Sequence, residues 1–292
     1  MKKIGIALIA SFGIFILLTA NSPAQSKFSL KVKGGYTMIS FHDLDSVITS
    51  HDRLFEDISL NLGMSREGRL EKLSGGIDLE GEIMMMLTRK IGIGLGLGYI
   101  QSQKDSSTML SFGSLFRLDS DMELNIRAIP IKLDGFYFIP LSSGISFFLN
   151  GGIGYYIGKM NYSFDMAEEI LDFSSSSQAI GTVEDKGIGY HAGLGIEMRL
   201  ADSVAIFLDA GGRYVKLRNW EGEESSFNSE GLRESRSGIL WYYEAYDPDF
   251  QKSYSNLLLS ENQPEVSGAD NSRKLEIDLS GLSLRLGIRL LF

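Results

Sequence analysis

The chain has 292 residues, a formal net charge of −9 and no cysteine, and its mean hydropathy is +0.01. Without cysteine, disulfides, thiolate catalysis, cysteine-ligated zinc, iron–sulfur clusters and a cysteine-linked lipid anchor are excluded. A polytopic helical membrane protein is also excluded, because it would need repeated apolar runs of about 20 residues and the sequence has only one, at its N-terminus.

The N-terminal segment has the three parts of a secretory signal peptide. Met1-Lys2-Lys3 is basic, residues 4–20 are largely apolar, and Ser22-Pro23-Ala24 offers small residues where a signal peptidase reads the chain. We therefore expect cleavage after Ala24, with residues 25–292 forming a single domain. The alternative, an uncleaved anchor helix, is less favoured because the apolar run is at the short end for spanning a bilayer.

Beyond residue 27, apolar residues recur at every second position, whereas sustained helical periodicity is almost absent. In residues 187–200 every even position is apolar, and the odd positions carry glycine, histidine or charge. A strand projects successive side chains to opposite faces, so such a segment separates two environments. A change of phase near Arg127 predicts a β-bulge there. The pattern predicts eight strands, at about 28–38, 77–87, 91–99, 129–137, 145–157, 187–200, 204–214 and 282–292.

The connections between these strands are alternately short and long. The long ones are polar and fall near 40–75, 101–122, 159–186 and 218–272. Outer-membrane barrels have short periplasmic turns and long external loops, whereas a soluble sandwich has no reason for this asymmetry. We therefore predict an all-β fold, a transmembrane antiparallel up-and-down β-barrel.

The last long loop, at about 218–272, is acidic, with eleven Asp or Glu against four Lys or Arg. A solvated loop is the favoured interpretation, and the alternative is recognition of lipid phosphates through divalent cations or of a basic partner. Residues 239–243 and 257–259 within it could add two strands to make ten. Neither segment alternates cleanly, so eight strands are favoured.

Tyrosines on the apolar faces fall at nearly one height. The 8–10 residues that separate most of them from the short-turn end rise roughly 20–25 Å in a tilted strand, which matches the apolar band of a barrel. We therefore predict aromatic girdles at the two membrane interfaces. The outer girdle comprises Tyr36, Tyr99, Tyr155, Tyr190 and Tyr214, and Tyr137 lies at the periplasmic rim.

The C-terminal segment ends in Phe292 and has apolar residues at alternate positions before it, namely Leu284, Leu286, Ile288 and Leu290. It resembles the C-terminal insertion signal of bacterial outer-membrane barrels. The runs Ile129-Pro130-Ile131-Lys132-Leu133 and Gly151-Gly152-Ile153-Gly154-Tyr155-Tyr156 resemble small barrels of the OmpA, OmpX and OmpW kind. The resemblance implies residence in the outer membrane of a Gram-negative-type bacterium, contact with its lipid and lipopolysaccharide, and insertion by the barrel assembly machinery. It carries over no catalytic residue.

The polar faces would fill the barrel interior. Seven basic and six acidic residues nearly balance, which predicts a closed salt-bridge network rather than a selective pore with one dominant sign of charge. We expect the glycines of 91–99 to make room for long Arg and Lys side chains. The predicted lumen residues are Lys31, Lys33, Asp78, Glu80, Glu82, Lys132, Asp134, His191, Glu197, Arg199, Asp209, Arg213, Arg285 and Arg289.

No motif indicates a catalytic, metal or cofactor site. The glycine run 92–98 lacks the spacing of a nucleotide-binding loop, and none of the three histidines begins the His-x-Ser pair of lipid A deacylase barrels. The sequence therefore favours a non-enzymatic structural or surface-interaction protein with an external ligand and without a nucleic-acid partner. A narrow channel for small or hydrophobic solutes, as in OmpW-like barrels, is the alternative. A lipid-A-modifying enzyme built on His42, Asp43, Asp45 and Ser46 is less favoured.

Overall fold

The structure is a computed structural model that describes residues 28–171, 173–265 and 268–292, and the predicted signal peptide lies outside these ranges. No helix in the described ranges is both long enough and apolar enough to span a bilayer. In chain order the elements are β1 (Phe28–Ile39), α1 (Asp43–Leu62), β2 (Ser65–Gly68), β3 (Gly76–Met86), β4 (Ile91–Phe112), β5 (Phe116–Ser142), β6 (Ile145–Ile170), β7 (Phe173–Ala201), β8 (Val204–Tyr214), β9 (Lys216–Leu217), β10 (Glu221–Asn228), β11 (Arg233–Asp247), β12 (Lys252–Ser260), β13 (Ala269–Lys274), β14 (Ile277–Asp278) and β15 (Gly281–Leu291).

Eight of these strands close into an antiparallel ring, in the order β1, β3, β4, β5, β6, β7, β8 and β15. The ring closes because the first and last strands pair, with Lys31 opposite Arg289 and Tyr36 opposite Leu284. Turns of a few residues join β3 to β4, β5 to β6, and β7 to β8 at one end. The predicted eight-stranded antiparallel barrel is confirmed, and β11 and β12, which contain the two candidate extra strands, pair outside the ring.

The segments predicted as long loops are largely folded. The strands β4 to β7 are 22 to 29 residues long in total. They extend far past the predicted strand ends and form a tall sheet above the ring. The segment 218–272 adds β10 to β13 to the edge of that sheet, and 40–75 contains α1 and β2. We call this assembly the cap. It comprises α1, β2, β9 to β14 and the upper halves of β4 to β7.

The two faces of β5 exchange polarity where the ring meets the cap. In β5, Ile129 and Ile131 face outward, but the inward-facing Ile126, Leu124 and Met122 above them are buried. The register with β4 and β6 runs through this region without a shift. The predicted bulge near Arg127 is therefore wrong: alternation continues unbroken, and only the environment inside the strand changes from polar to apolar.

The helix α1 was not predicted, and it fills the hollow side of the cap sheet. Its buried residues Leu44, Val47, Ile48 and Phe55 follow helical spacing. The first three join an apolar core with Leu124 of β5 and with Trp220, which directly precedes β10. Gly63 ends the helix in the left-handed conformation, with φ of 63°, which a glycine adopts without strain. The end of the ring opposite the short turns is thus covered by a hydrophobic core.

Candidate functional site

An aromatic layer occupies the short-turn end of the lumen. Phe136, Phe148 and Phe207 are buried there and pack with Phe138 and Met84. The Lys31 ammonium lies 4.3, 4.4 and 4.6 Å from the centroids of the first three rings, so a cation–π cluster holds the buried charge. These phenylalanines were missed in the sequence, although each occupies the polar phase of its strand.

A charged layer fills the middle of the lumen. Glu80 accepts hydrogen bonds at 2.6 Å from Lys132 Nζ and at 3.2 Å from Arg285 Nη1, and its other oxygen lies 3.0 Å from Lys33 Nζ. Lys33 also lies 3.4 Å from Asp209. Because these five side chains are at most 5% exposed, water screens their interactions little, and each charge depends on its partners.

Further ion pairs lie above and below this layer. Arg213 contacts Asp78 at 3.1 Å and also donates to the Leu279 carbonyl and the Thr37 hydroxyl, at 2.8 Å each. The Arg289 guanidinium lies 3.0 Å from Glu197. The lumen is therefore crossed by paired charges from its aromatic layer to the base of the cap.

Thirteen of the fourteen predicted lumen residues lie inside the barrel. His191 is among them, with its Nε2 2.5 Å from Asp134 and its side chain 8% exposed. Arg199 differs, since it is exposed near the short-turn rim and belongs to no buried ion pair in the described part of the chain. The alternation places Arg199 in the correct phase, but it lies past the end of the closed interior. The buried members are Lys31, Lys33, Asp78, Glu80, Glu82, Lys132, Asp134, His191, Glu197, Asp209, Arg213, Arg285 and Arg289.

The glycines of β4 make room for side chains, but not mainly for Arg and Lys. A Cβ at Gly94 would lie 3.0 Å from the Phe136 ring and would also meet the Glu82 carboxylate. One at Gly96 would approach Glu80 and then Lys132. At these two glycines the nearest side chains are acidic residues of the adjacent β3 and a ring from β5, whereas Gly92 faces Met84 and Met86, and Gly98 faces Pro130. Neighbouring strands therefore reach each glycine before long side chains from across the barrel do.

Polar contacts fasten both ends of α1 to the rest of the cap. At its N-terminus, Arg273 binds the Asp43 carboxylate in bidentate fashion. At its C-terminal half, Asp57 accepts hydrogen bonds of 2.6 Å from Lys252 and from the Tyr254 hydroxyl. The Lys252 ammonium and then the Tyr254 hydroxyl lower the pKa of Asp57, so this carboxylate is ionised at neutral pH.

His51 lies on the buried side of α1. Its Nε2 is 3.3 Å from Asn256 Oδ1 and its ring meets Phe164 edge-on. Burial lowers the pKa of His51 because the surrounding apolar core disfavours the imidazolium. The docked helix therefore holds a neutral histidine.

The residues of the less-favoured catalytic hypothesis lie together where α1 begins. Asp43 is bound by Arg273, Asp45 accepts the Phe41 N–H at 3.2 Å, and the Ser46 hydroxyl donates to the His42 carbonyl at 3.0 Å. The structure thus gives each of these three polar groups a structural partner. His42, Asp45 and Ser46 also line an open polar cavity of about 550 Å³ beneath β11 and β12.

The predicted girdle tyrosines lie on the outer wall of the ring. Tyr190 and Tyr214 are direct cross-strand neighbours, and both are exposed, as are Tyr36, Tyr137 and Tyr155, whereas Tyr99 is half-buried. The C-terminal residues Leu284, Leu286, Ile288 and Leu290 also face outward. Phe292 follows β15, and its backbone N–H donates to the Phe28 carbonyl at 3.0 Å. The outer wall is a continuous apolar surface.

Comparison with known proteins identifies the family. A model described as outer membrane protein beta-barrel domain matches residues 8–233, and no curated protein matches the sequence. OprG from Pseudomonas aeruginosa shares 11% identity in an alignment that covers 92% of this chain and 97% of the OprG chain, with a TM-score of 0.40. A major outer membrane protein from Thermus thermophilus shares 14% identity over 91% and 98%, with a TM-score of 0.34. Ail, the attachment invasion locus protein of Yersinia pestis, shares 10% over 90% and 99%, with a TM-score of 0.30.

These structural similarities are too remote to carry a functional argument. The family model, in contrast, spans most of the sequence, and the closed ring with its apolar outer wall agrees with it. The chain therefore belongs to the outer membrane protein β-barrel domain family and resides in the bacterial outer membrane.

Proposed function

We propose that the protein is a non-enzymatic, non-conducting surface protein whose folded cap meets external ligands while the barrel anchors it. The observation that carries this proposal is the closure of the lumen in three consecutive layers. The phenylalanine layer is the lowest, the ion-pair network around Glu80 is next, and the apolar core beneath α1 is the highest.

Each layer would hinder a solute for a different reason. A polar solute would have to displace Phe148, which is fully buried, and then separate ion pairs that water does not screen. Above them it would meet the apolar core of the cap, where a hydrated solute finds no hydrogen-bond partner. An eight-stranded ring has an interior that side chains alone can fill, so conduction would require a large rearrangement.

The cap supports a role in surface interaction because it is a folded, acidic structure rather than a set of separate loops. The segment 218–272, with its eleven acidic and four basic residues, is built into β10 to β13 and held to the tall sheet by backbone pairing. Such a surface presents a fixed charge pattern suited to a cationic partner. We also infer that the barrel assembly machinery inserts the chain through its C-terminal strand.

Planar-bilayer recording of the purified protein tests the closed lumen. We expect no stable single-channel steps from the native chain. Reproducible steps would contradict the proposal and favour the narrow-channel alternative.

The enzymatic alternative is tested by lipid A analysis. We expect lipid A acylation to remain unchanged when the protein is produced. A change in acylation that is abolished by His42→Ala would overturn the non-enzymatic assignment.

The natural absence of cysteine allows a second test of access to the lumen. Asn150 is a buried lumen residue of β6, and Glu230 lies exposed in the turn between β10 and β11. We expect a small membrane-impermeant thiol reagent to label Glu230→Cys but not Asn150→Cys in folded barrels, and both after denaturation. Labelling of Asn150→Cys in the folded state would show an open path into the lumen.

A further inference from the structure

Basic residues mark the upper edge of the apolar wall on one side of the barrel only. In β5, β6 and β7, the apolar wall of the ring ends at Ile129, Ile157 or Ile188, and the next outward position is basic in each case. The corresponding positions on the other side, Gln101, Ser40, Ser280 and Gly75, are uncharged. We call the three residues Arg127, Lys159 and Lys186 the basic row.

Strand register brings these three cations together. Arg127 and Lys159 are direct cross-strand partners, and Ile157, one outward position below Lys159, pairs with Lys186. Like charges placed directly opposite each other are destabilising unless an anion lies between them. The row therefore brings three positive charges to one patch of the outer wall.

Internal acids neutralise the basic row only in part. Lys159 Nζ lies 2.9 Å from Glu184, and Arg127 Nε donates to Asn125 at 3.2 Å. Within the described residues, neither Arg127 nor Lys186 has a carboxylate within ion-pair distance. Lys216, the next cation around the ring, is instead bound to Glu276 at 2.6 Å. The row thus retains unneutralised charge in a chain whose net charge is −9.

The position of the row determines which anion it can meet. Arg127 lies ten residues above Tyr137 in β5, which corresponds to a rise of roughly 25 Å, the height of the apolar band. The row therefore stands at the level of the outer-leaflet headgroups, with the exposed Tyr155 and Tyr190 four residues below Lys159 and Lys186. Phosphate is the anionic group found at that level, and guanidinium binds it with two parallel hydrogen bonds.

We propose that the basic row binds the phosphate groups of a phosphorylated glycolipid of the lipid A class in the outer leaflet. The isoleucines directly below the row provide an apolar surface for the acyl chains of the same lipid. The uncharged half of the barrel carries no equivalent site, so the bound lipid occupies one side of the molecule. The site lies on the outer wall, so its test is independent of whether the lumen conducts.

Native mass spectrometry of the purified barrel with diphosphorylated lipid A tests this site. We expect the triple variant Arg127→Gln, Lys159→Gln, Lys186→Gln to bind about a hundredfold more weakly, since each cation near a membrane surface contributes about fivefold in affinity. The control variant Arg69→Gln, Arg233→Gln, Arg236→Gln removes the same charge from exposed positions directly after β2 and in β11 and is expected to bind as the native protein does.

Two further arms separate the lipid from other ligands. Dephosphorylated lipid A is expected to bind the native protein as weakly as lipid A binds the triple variant, and millimolar inorganic phosphate is expected not to displace the lipid. Equal binding of both lipids, full displacement by phosphate, or native-like binding by the triple variant would each overturn the proposal. Heat-modifiable gel migration confirms folding, and the single variants Arg127→Gln and Lys186→Gln, which leave the Lys159–Glu184 pair intact, provide the test if the triple variant does not fold.

Discussion

Arg285 and Asp209 face each other across neighbouring strands in the middle of the lumen. Arg285 Nε lies 2.7 Å from Asp209 Oδ1 and Nη2 lies 3.1 Å from Oδ2, so the two groups form a pair of parallel hydrogen bonds. The strand register places the two residues directly opposite each other, and the same guanidinium reaches Glu80. One arginine therefore neutralises two buried carboxylates.

We expect Arg285→Ala to lower the free energy of unfolding by about 3–5 kcal/mol, because it removes the nearest cation of Asp209 and one of the three cations around Glu80, which leaves buried negative charge only partly compensated. Arg199→Ala removes the same charge from the exposed rim and is expected to cost less than about 0.5 kcal/mol. Urea unfolding in detergent, followed by heat-modifiable gel migration, measures both. Equal midpoints for the two variants would show that the network does not stabilise the barrel.

The phenylalanine layer predicts a difference between two glycines that both face the lumen. A Cβ at Gly195 would lie 2.4 Å from the Phe148 ring and 2.5 Å from the Leu208 carbonyl, whereas one at Gly96 meets nothing closer than 3.4 Å. Gly195→Ala is expected to destabilise the barrel by about 1–3 kcal/mol through overpacking. Gly96→Ala is expected to be neutral or slightly stabilising, and a reversed order would contradict the packing described for this layer.

The apolar face of α1 holds the helix to the cap sheet. Ile48 is 1% exposed, whereas Leu60 on the same helix is 73% exposed. We expect Ile48→Ala to weaken docking by about 2–5 kcal/mol and Leu60→Ala to have little effect. Hydrogen exchange of the α1 amides measures docking directly, and the ring amides of β1 and β15 serve as an internal reference. Faster exchange in both regions would mean that the ring depends on the helix.

The buried histidine predicts that docking of α1 depends on pH. Burial lowers the pKa of His51 in the docked helix, whereas the undocked helix exposes an imidazole with the ordinary pKa of about 6.5. The contribution of neutral His51 is therefore complete above about pH 6.5 and is lost as the pH falls from there towards the lowered value, with a slope of at most about 1.4 kcal/mol per pH unit.

Hydrogen exchange of α1 between pH 8 and 5.5, corrected for the intrinsic rate, measures this dependence. The range avoids protonation of Asp57, whose contribution is lost only as the pH falls below the ordinary aspartate pKa of about 4, since its own pKa is lowered. His51→Gln is expected to remove the pH dependence. An unchanged dependence in that variant would assign the effect to another group.

The ring could be predicted from the sequence because lipid imposes one rule on all eight strands. Wherever a strand crosses the membrane, as in 187–200, apolar side chains face outward at every second position, and the predicted and observed ring strands agree there. Above the membrane the rule changes, since Leu124 and Ile126 face an apolar core inside the cap. Period-two alternation continues, but the sequence alone does not show that the apolar residues there face inward, because the core inside the cap cannot be recognised from the pattern.

Two features that were not predicted do leave a signal in the sequence. Leu44, Val47, Ile48 and Phe55 follow the spacing of an amphipathic helix, and Gly63 marks its end, although the polar composition of the segment predicts a loop. Phe148 and the neighbouring phenylalanines occupy inward positions of their strands. The prediction of the lumen considered only the balance of charged residues and therefore did not include an aromatic layer. The particular ion-pair partners could not be predicted, because a contact such as Arg213 to Asp78 depends on the shear of the closed ring.

The pairing of β1 with β15 also bears on the order of assembly. Lys33 comes from the first strand and Arg285 from the last, and their partners Asp209 and Glu80 stand on the far side of the seam between these strands. These contacts can form only once the two ends of the sheet have met. An unclosed sheet would keep the pairs within each edge, such as Arg285 with Asp209 and Lys33 with Glu80, but would lack the contacts that cross the seam. Part of the stabilisation by the network is therefore gained only at the final step, which favours the completed barrel over an open intermediate.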